Sequence, residues 1–527
     1  MFTEPGQLFV SSADAYEIEQ SCRFNDGDSP YLNRSFVTPT SAANFGYSFW
    51  VKLGAGYNGS YIISADGSGN NDNFYFNSNK INIQEGGTPR LVSNQVFRDH
   101  AAWYHFVVAY ELGNSTDAHK LRVYLNGSEI TSWSTDARSG LSSTSSRLNA
   151  NGVSHDIGAN ANNGVSTHVN NFDGYLAEFH FVDGTVLTPS MFGETNSDGV
   201  WVPIKASPTY GNNGFYLAFQ DDSALGDDTS GEGHDWSSSG LAAADSVSDS
   251  PTDNHCTLNP LWVDGHTLSD GNLVASAAAD SAAIGTMAFD VTDSDGFYFE
   301  AKVTTAATYP NVGIRTIESP SQVGAVTSLS GNSTGRYSFT GSDGNFNDAG
   351  SSSSYGSAWA GTADKVIGVL VKAGALYFSI DGTIQNSGTA AKTGLTGLML
   401  PTVFYDAGSG TAAAWEMRFD AADWSTTPSG YKAISAANMD SDTITTSGSF
   451  TGTGSTAGPA VYLNGVPTAM TINDNAVTFG THADKLANGF RIITSSSDYN
   501  QSGSSNSYSV SSTGGALVDN ANAQGNP

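Results

Sequence analysis

The sequence is poor in basic residues and low in charge overall. Its 527 residues include 21 Lys and Arg against 51 Asp and Glu, so the formal net charge is −30. Charged residues make up 14% of the chain, below the roughly 25% of ordinary soluble proteins. So acidic a surface repels a phosphate backbone, which excludes nucleic acid as a partner, and it disfavours adhesion to an anionic bilayer.

Long apolar runs and targeting signals are also missing. The first twenty residues contain no Lys or Arg and no apolar stretch of signal-peptide length, so we expect synthesis in the cytoplasm without a secretory signal. The apolar runs AAWYHFVVAY and VIGVLVKAGALYF are about ten residues long or broken by Lys, far short of the roughly 20 residues that span a bilayer. We therefore expect no membrane insertion.

Cysteine is nearly absent. The two cysteines, Cys22 and Cys256, allow at most one bridge, so the fold is not a disulfide-stapled scaffold. The residues alone favour two free, buried thiols.

Alternating apolar residues and tight-turn dipeptides are abundant. Segments such as HFVVAYEL, KLRVYLNG and YLAEFHFVDG have the period of two that is typical of half-buried strands, whereas helical periodicity is almost absent. Dipeptides that suit hairpin turns follow several of these segments: Asn126-Gly127, Asp183-Gly184, Asp381-Gly382 and Asn464-Gly465. The sequence therefore predicts an all-β protein of tandem antiparallel β-sandwiches.

Composition divides the chain into five parts. No Lys or Arg occurs between Ala206 and Glu300, and within that stretch residues 221–262 mix acids with Gly and Ser. We predict a first sandwich (17–220), an acidic connection (221–262) and a second sandwich (263–439). The terminal position alone suggests that residues 1–16 form an N-terminal anchoring segment. Residues 440–527 begin with a Ser/Thr/Gly spacer and end in a small C-terminal β module.

Motifs for catalysis and metal binding are weak. The ten histidines form no zinc motif, and His105, inside a strand pattern, has a structural role. A glycoside hydrolase would need paired carboxylates on one strand face, but the nearest approaches, Glu17 with Glu19 and Glu178 with Asp183, lack the required spacing. We predict no catalytic residues, and we keep a hydrolase as an alternative.

Calcium is the one cofactor that the loops suggest. The segments FNDGDSPY, DDSALGDDTSG and DVTDSDG carry oxygen ligands of the kind that calcium prefers. Lys302 occupies the position where an EF-hand would place its closing Glu, so that motif fails. Solvated turns are the competing interpretation.

Three parts of the chain resemble known modules. The first is similar to a laminin G-like, concanavalin-type lectin sandwich, particularly the form in tailed-phage virion proteins, through SCRFNDGDSPYLNRSF, FGYSFWVKLG, AWYHFVVAYE, LRVYLNGSEI and FDGYLAEFHFVDGTVLTPSMFGE. The second resembles a SPRY domain through GFYFEAKV, YPNVGIR, TGRYSF, ADKVIGVLVKAGALYFSIDG, LPTVFYDAGSG and PSGYKAI. The end, from GPAVYLNGV to RIITSSS, resembles a module of tail-fibre-like proteins. The resemblance implies that the first two modules bind rather than catalyse, and it assigns no role to the last.

The resemblance implies a bacteriophage virion protein, a tail fibre or spike that attaches to a host-surface glycan or protein. The alternatives are a capsid fibre or decoration protein, a fibre-borne polysaccharide depolymerase, and a cellular adhesion or scaffolding protein. Its partners would be other virion proteins and, by analogy, two further copies in a homotrimer. No position matches a sugar-binding motif, so the ligand-binding residues stay unassigned. Cys22 and Cys256 depart from the family pattern, which makes a Cys22–Cys256 disulfide a testable hypothesis.

Overall fold

The computed structural model divides into two compact units, one within Ser11–Asn438 and one that contains the strands after Met439. It describes residues 16–66, 70–162, 167–196, 199–305, 308–316, 335–348, 350–405 and 413–439, together with the backbone of residues 444–451, 460–472, 475–477 and 505–518. The predicted N-terminal anchoring segment, residues 1–16, lies outside the described residues except for Tyr16.

The described residues of the first sandwich form twenty strands and one short α-helix. The strands are β1 (Ser21–Phe24), β2 (Tyr31–Ser35), β3 (Asn44–Leu53), β4 (Tyr61–Ala65), β5 (Asp72–Asn77), β6 (Lys80–Glu85), β7 (Thr88–Ser93), β8 (Trp103–Glu111), β9 (Leu121–Leu125), β10 (Ser128–Glu129), β11 (Trp133–Asp136), β12 (Ser154–Ile157), β13 (Asn160–Asn162), β14 (Thr167–Val169), β15 (Gly174–Asp183), β16 (Gly193–Thr195), β17 (Trp201–Pro203), β18 (Phe215–Leu217), β19 (Ser237–Ser239) and β20 (Ser246–Val247). The helix is α1 (Asp117–Lys120).

Two eight-stranded antiparallel sheets form this sandwich. The first sheet has the order β10-β9-β8-β3-β15-β1-β20 with β18 beside β15, and the second has the order β11-β7-β6-β5-β4-β12-β2-β19. Alternate residues of both sheets meet in one aromatic core. There the ring centroid of Phe49 lies 5.4 Å from that of Phe74 and 5.4 Å from that of Phe179. The period of two in the sequence thus reflects one buried face per sheet.

The acidic segment 221–262, predicted as a connection, packs onto the first sandwich. Its strand β19 extends the second sheet beside β2, and its strand β20 extends the first sheet beside β1. Trp236 lies in the core against Phe215. The first sandwich therefore continues to about residue 256, and the second begins at Leu258.

The described residues of the second sandwich form a single folded sheet of thirteen strands. These are β21 (Leu258–Ser269), β22 (Val274–Gly285), β23 (Phe289–Asp290), β24 (Phe297–Thr305), β25 (Pro310–Thr316), β26 (Arg336–Thr340), β27 (Asn345–Asp348), β28 (Ser351–Ser354), β29 (Lys365–Lys372), β30 (Ala375–Ile380), β31 (Thr383–Ile384), β32 (Leu398–Tyr405) and β33 (Ala413–Arg418). One half of β22 pairs with β33 and the other half with β32, so this strand belongs to both layers. Phe339 and Phe378, from strands far apart in the sheet order, pack at 5.3 Å in the core.

The C-terminal unit has four described strands in the order β34-β37-β35-β36. They are β34 (Ile444–Thr451), β35 (Ala460–Ile472), β36 (Asn475–Val477) and β37 (Ser505–Val518). The predicted turn at Asn464-Gly465 is wrong, because both residues lie within β35 at a register shift in its pairing with β37. Glycine is common in bulges as well as in turns, so an Asn-Gly dipeptide in the sequence does not distinguish a bulge from a hairpin turn.

The predicted fold class is confirmed as antiparallel β-sandwiches in tandem. Asn126-Gly127 and Asp381-Gly382 form the predicted turns, and all four residues have positive φ. Within the described ranges, no helix is both long and apolar enough to cross a membrane.

Candidate functional site

The outer face of the second sheet is polar along its whole central part. The strand register aligns Asn33, Asp156, Ser64, Asn73 and Gln84 in one row across β2, β12, β4, β5 and β6. The core residues Leu32, Ile157, Ile63, Phe74 and Ile83 occupy the next row and point the opposite way. We call this outer surface the polar face; it comprises Tyr31, Asn33, Tyr61, Ser64, Asn73, Tyr75, Asn82, Gln84 and Asp156.

Two ring stacks lie on the polar face. Tyr61 and Tyr75 face each other across β4 and β5, with centroids 4.7 Å apart and planes 11° from parallel. Tyr31 stacks on His168 of the β13–β14 hairpin at 3.7 Å. All three tyrosines are half-buried, so part of each ring remains accessible to a ligand.

Asp156 is the polar centre next to the second stack. Its two carboxylate oxygens lie 2.6 Å from Asn33 Nδ2 and 2.6 Å from His168 Nδ1, and the residue is fully buried. Burial raises the pKa of Asp156, while the hydrogen bonds from His168 and Asn33 oppose that rise. Asp156 therefore fixes the orientation of His168 and holds the hairpin against the sheet.

The outer face of the first sheet is built differently and is covered. It carries Ser48, Trp50, Lys52, Trp103, His105, Tyr175 and Ala177, and we call it the covered face. Ile18 and Trp201 pack onto it, and residues 246–256 cross it. His105 is fully buried, with its ring nitrogens 2.8 Å from Ser48 Oγ and 3.0 Å from Trp201 Nε1.

Lys52 is the least expected residue of the covered face. It is completely buried, and its ammonium donates to Asp249 Oδ2 at 2.6 Å, Asn254 Oδ1 at 2.8 Å and the carbonyl of His255 at 2.8 Å. Trp103 Nε1 donates to the other oxygen of Asp249 at 3.1 Å. This network ties β3 to the segment that leads into the second sandwich.

The two buried carboxylates considered for hydrolysis, Glu178 and Asp183, are held by separate donors. Glu178 lies at a bulge in β15 with φ of 49° and accepts hydrogen bonds from the hydroxyls of Tyr16 and Tyr216. Asp183 is buried and accepts from backbone and side-chain donors of four other residues, Thr40, Ser41, Asn149 and Asn213. Glu17 and Glu19 are exposed on either side of Ile18. Each buried carboxylate thus stabilises local structure.

The three loops proposed for calcium are turns capped by their own side chains. Asn25 accepts from the backbone of Gly27, Asp221 from Ser223, and Asp293 from Asp295. Among the residues that the structure describes, no three His, Cys, Asp or Glu side chains are grouped as metal ligands.

The first of these loops approaches one buried carboxylate. Asp26 Oδ2 and Asp173 Oδ2 lie 2.8 and 3.1 Å from the point that a Cβ on Gly56 would occupy. Burial raises the pKa of Asp173 to about 6, and the charge of Asp26 adds to the rise.

The hypothetical Cys22–Cys256 disulfide is not formed, and both thiols are free and buried. Cys22 belongs to the aromatic core of the first sandwich. Cys256 Sγ lies 3.8 Å from Thr286 Oγ1 and beside Gly285 of β22. The two sulfurs thus pack in different sandwiches, and burial raises the pKa of both thiols.

Residues 26–191 match a family model. That model is Laminin_G_3, described as the concanavalin A-like lectin/glucanases superfamily. The match covers the greater part of the first sandwich, including the polar face. No curated protein matches the chain.

Solved structures similar to parts of the chain include SPRY domains and a pentraxin. The SPRY domain of human HERC1 is 10% identical over 31% of this chain and 96% of its own, with a TM-score of 0.24. A human SPRY domain is 14% identical over 30% and 96%, with a TM-score of 0.22. The heptameric SAP-like pentraxin of Limulus polyphemus is 17% identical over 33% and 80%, with a TM-score of 0.25.

Sequence reasoning assigned no ligand-binding residues, and it missed Lys52 and His168. The alternation in YIISA, DNFYFN and KINIQE was visible and places the tyrosines and amides of the polar face on one side. No local signal pairs Lys52 with Asp249, because the two residues are 197 positions apart.

Proposed function

We propose that the chain is an adhesive protein whose first sandwich binds a saccharide on its polar face. The observation that carries this proposal is the pair of half-buried ring stacks, Tyr61–Tyr75 and Tyr31–His168, with the partly exposed amides Asn33 and Gln84 in the row between and beside them. Sugar rings present apolar C–H faces that pack on aromatic rings and hydroxyls that pair with amides and carboxylates. The lectin-type family match over residues 26–191 supports the same reading.

The charge of the chain narrows the ligand class. With a net charge of −30, the protein repels sulfated, sialylated or other anionic glycans. Asp156, buried at the centre of the polar face, adds a local negative charge. We therefore propose a neutral or amino-sugar glycan.

We further propose that the protein is a tail fibre or spike of a bacteriophage virion. The likeness of its first and last segments to modules of virion proteins supports this role, and so do tandem sandwiches rich in Gly and polar residues. Many copies on one particle would raise the avidity of a weak single site by roughly 10² to 10⁴. A capsid fibre or decoration protein is the second candidate, and a depolymerase is less favoured because Glu178 and Asp183 are held by separate donors.

A glycan array probed with the full-length protein tests the binding proposal. We expect binding to neutral or amino-sugar glycans and its loss in Tyr75→Ala, which removes one ring of a stack. Tyr309→Ala is the matched control, because Tyr309 is 39% exposed on the second sandwich and should leave binding unchanged. Equal binding by both variants would place the site elsewhere.

Immunogold electron microscopy of virions, with antibody against the full chain, tests the virion proposal. Gold at the tail supports a fibre or spike, and gold over the head favours the capsid alternative. Unlabelled particles would contradict a virion role. Light scattering that gives a monomer would contradict the proposed homotrimer.

A further inference from the structure

The buried contacts of Lys52 include the groups needed for a covalent reaction. Lys52, Asn254 and Asp249 are 0%, 4% and 5% exposed, so bulk water has almost no access to them. Lys52 Nζ is 2.8 Å from Asn254 Oδ1, and the amide carbon lies one C=O bond, about 1.2 Å, from that oxygen. An amine held this close to a carbonyl gains the rate advantage of an intramolecular reaction.

Asp249 is positioned as the proton carrier for such a reaction. Its Oδ2 accepts from Lys52 Nζ at 2.6 Å, and its Oδ1 is fixed by Trp103 Nε1 at 3.1 Å and by the backbone N–H of His255 at 3.2 Å. Lys52 Nζ also lies 5.6 Å from the centre of the Tyr175 ring, so aromatic side chains surround the pair. Because an unreacted ammonium and carboxylate both lose solvation when buried, a reaction that removes the ammonium is favoured at this place.

The amide of Asn254 is held in one orientation. Its Nδ2 donates to the carbonyl of Ala101 at 2.7 Å, and this contact leaves Oδ1 directed at Lys52. The opposite orientation would place an amide N–H₂ against the ammonium, donor against donor. The carbonyl is therefore polarised by the amine that would attack it.

We propose that Lys52 and Asn254 form an intramolecular isopeptide bond, with Asp249 as the catalytic acid and base. Asp249 takes a proton from the Lys52 ammonium, and the neutral amine attacks Cγ of Asn254. An Nζ–Cγ bond forms and the Cγ–Nδ2 bond breaks. The proton held by Asp249 passes to the leaving nitrogen, which departs as ammonia, and Asp249 then takes the second proton from Nζ, so the step needs no oxidant, reductant or cofactor.

The bond would connect β3, in the middle of the first sheet, directly to the segment that enters the second sandwich. A pulling force arriving through the second sandwich would then reach β3 without passing through residues 53–253. Such a link suits a protein that must hold a particle to a surface, although the chemistry does not depend on that role.

Intact-mass spectrometry of the full chain tests the proposal. We expect a mass below that of the sequence by one ammonia, and a branched peptide in the digest that joins the segments around Lys52 and Asn254. Lys52→Met should restore the full sequence mass. Asn254→Asp should still form the bond by losing water, and Asp249→Asn should leave the bond largely unformed.

Asn272→Ala is the matched control, because Asn272 is a fully buried asparagine near the same junction that contacts the carbonyl of Leu53. This variant should keep the mass deficit. A wild-type mass equal to that of the sequence, after prolonged incubation of the folded protein, would overturn the proposal without any variant. An ammonia loss that persists in Lys52→Met would also overturn it, since it would then come from an internal asparagine succinimide.

Discussion

The two outer faces of the first sandwich differ in both residue types and environment. The polar face carries tyrosines, amides and Asp156, and its three tyrosines, Asn33 and Gln84 remain partly exposed. The covered face carries Trp50, Lys52 and His105, all buried under remote segments. In both sheets, the residues of the outer face alternate along each strand with residues of the same aromatic core. Strand periodicity alone therefore does not distinguish the two outer faces. Whether a face binds ligand or the rest of the chain depends on what crosses it.

The two faces should differ most in the free energy of unfolding that is lost when one carboxylate is removed from each. Asp249→Ala leaves the ammonium of Lys52 buried without its anion, and we expect it to lower the free energy of unfolding by about 3–5 kcal/mol. Asp156→Ala should cost about 1–2 kcal/mol, because burial already opposes the charge of Asp156. Urea unfolding followed by tryptophan fluorescence measures both. Equal losses would mean that the two faces are energetically alike.

Removing one aromatic ring from each face should give the next largest difference. Trp201 is 9% exposed and its indole stacks on His105, so Trp201→Ala should cost about 3 kcal/mol through the cavity that it leaves. Tyr75→Ala, on the polar face, should cost under about 1 kcal/mol and mainly affect ligand binding. Thermal unfolding compares the two variants. A larger loss for Tyr75→Ala would reverse the assignment of the faces.

The acid sensitivity of the covered face gives a smaller effect. Burial, with a minor contribution from His180, lowers the pKa of His105 to about 3, so the folded protein keeps this imidazole neutral. The unfolded chain takes up a proton below about pH 6.5, so stability falls as the pH decreases from 6.5 towards 3. At pH 5, the loss of unfolding free energy should be about 2 kcal/mol smaller in His105→Gln than in the wild type. If the free energy of unfolding decreases equally in the wild type and in His105→Gln between pH 7 and pH 5, the prediction is wrong.

The fold was largely predictable because its signals are local. Alternation and turn dipeptides such as Asn126-Gly127 report on neighbouring residues, and they predicted antiparallel sandwiches. The exceptions have physical causes: Asn464-Gly465 forms a bulge rather than a turn, and the acidic segment gains order from pairing with β1 and β2. Composition described that segment as a linker because its apolar contacts, such as Trp236, are few and widely spaced.

The candidate site was only partly predictable. The tyrosines and amides of β4 to β6 lie in alternating runs, and their shared face follows from the period of two. The contact of His168 with Asp156 depends on a hairpin that folds back over the sheet, and the contact of Lys52 with Asp249 depends on a segment nearly two hundred residues away. Such contacts depend on the tertiary fold, and no local motif encodes them.

The pairing of β1 with β20 has a consequence for how such proteins can diversify. Ser21 and Val247 are directly opposite each other, so the chain enters and leaves the first sandwich at one place. A domain whose two ends meet can be replaced as a unit with little disturbance to what precedes and follows it. Recombination at these two points would exchange the polar face and leave the reading frame of the second sandwich unchanged, provided that the incoming domain keeps Lys52 and Trp103, which contact Asp249.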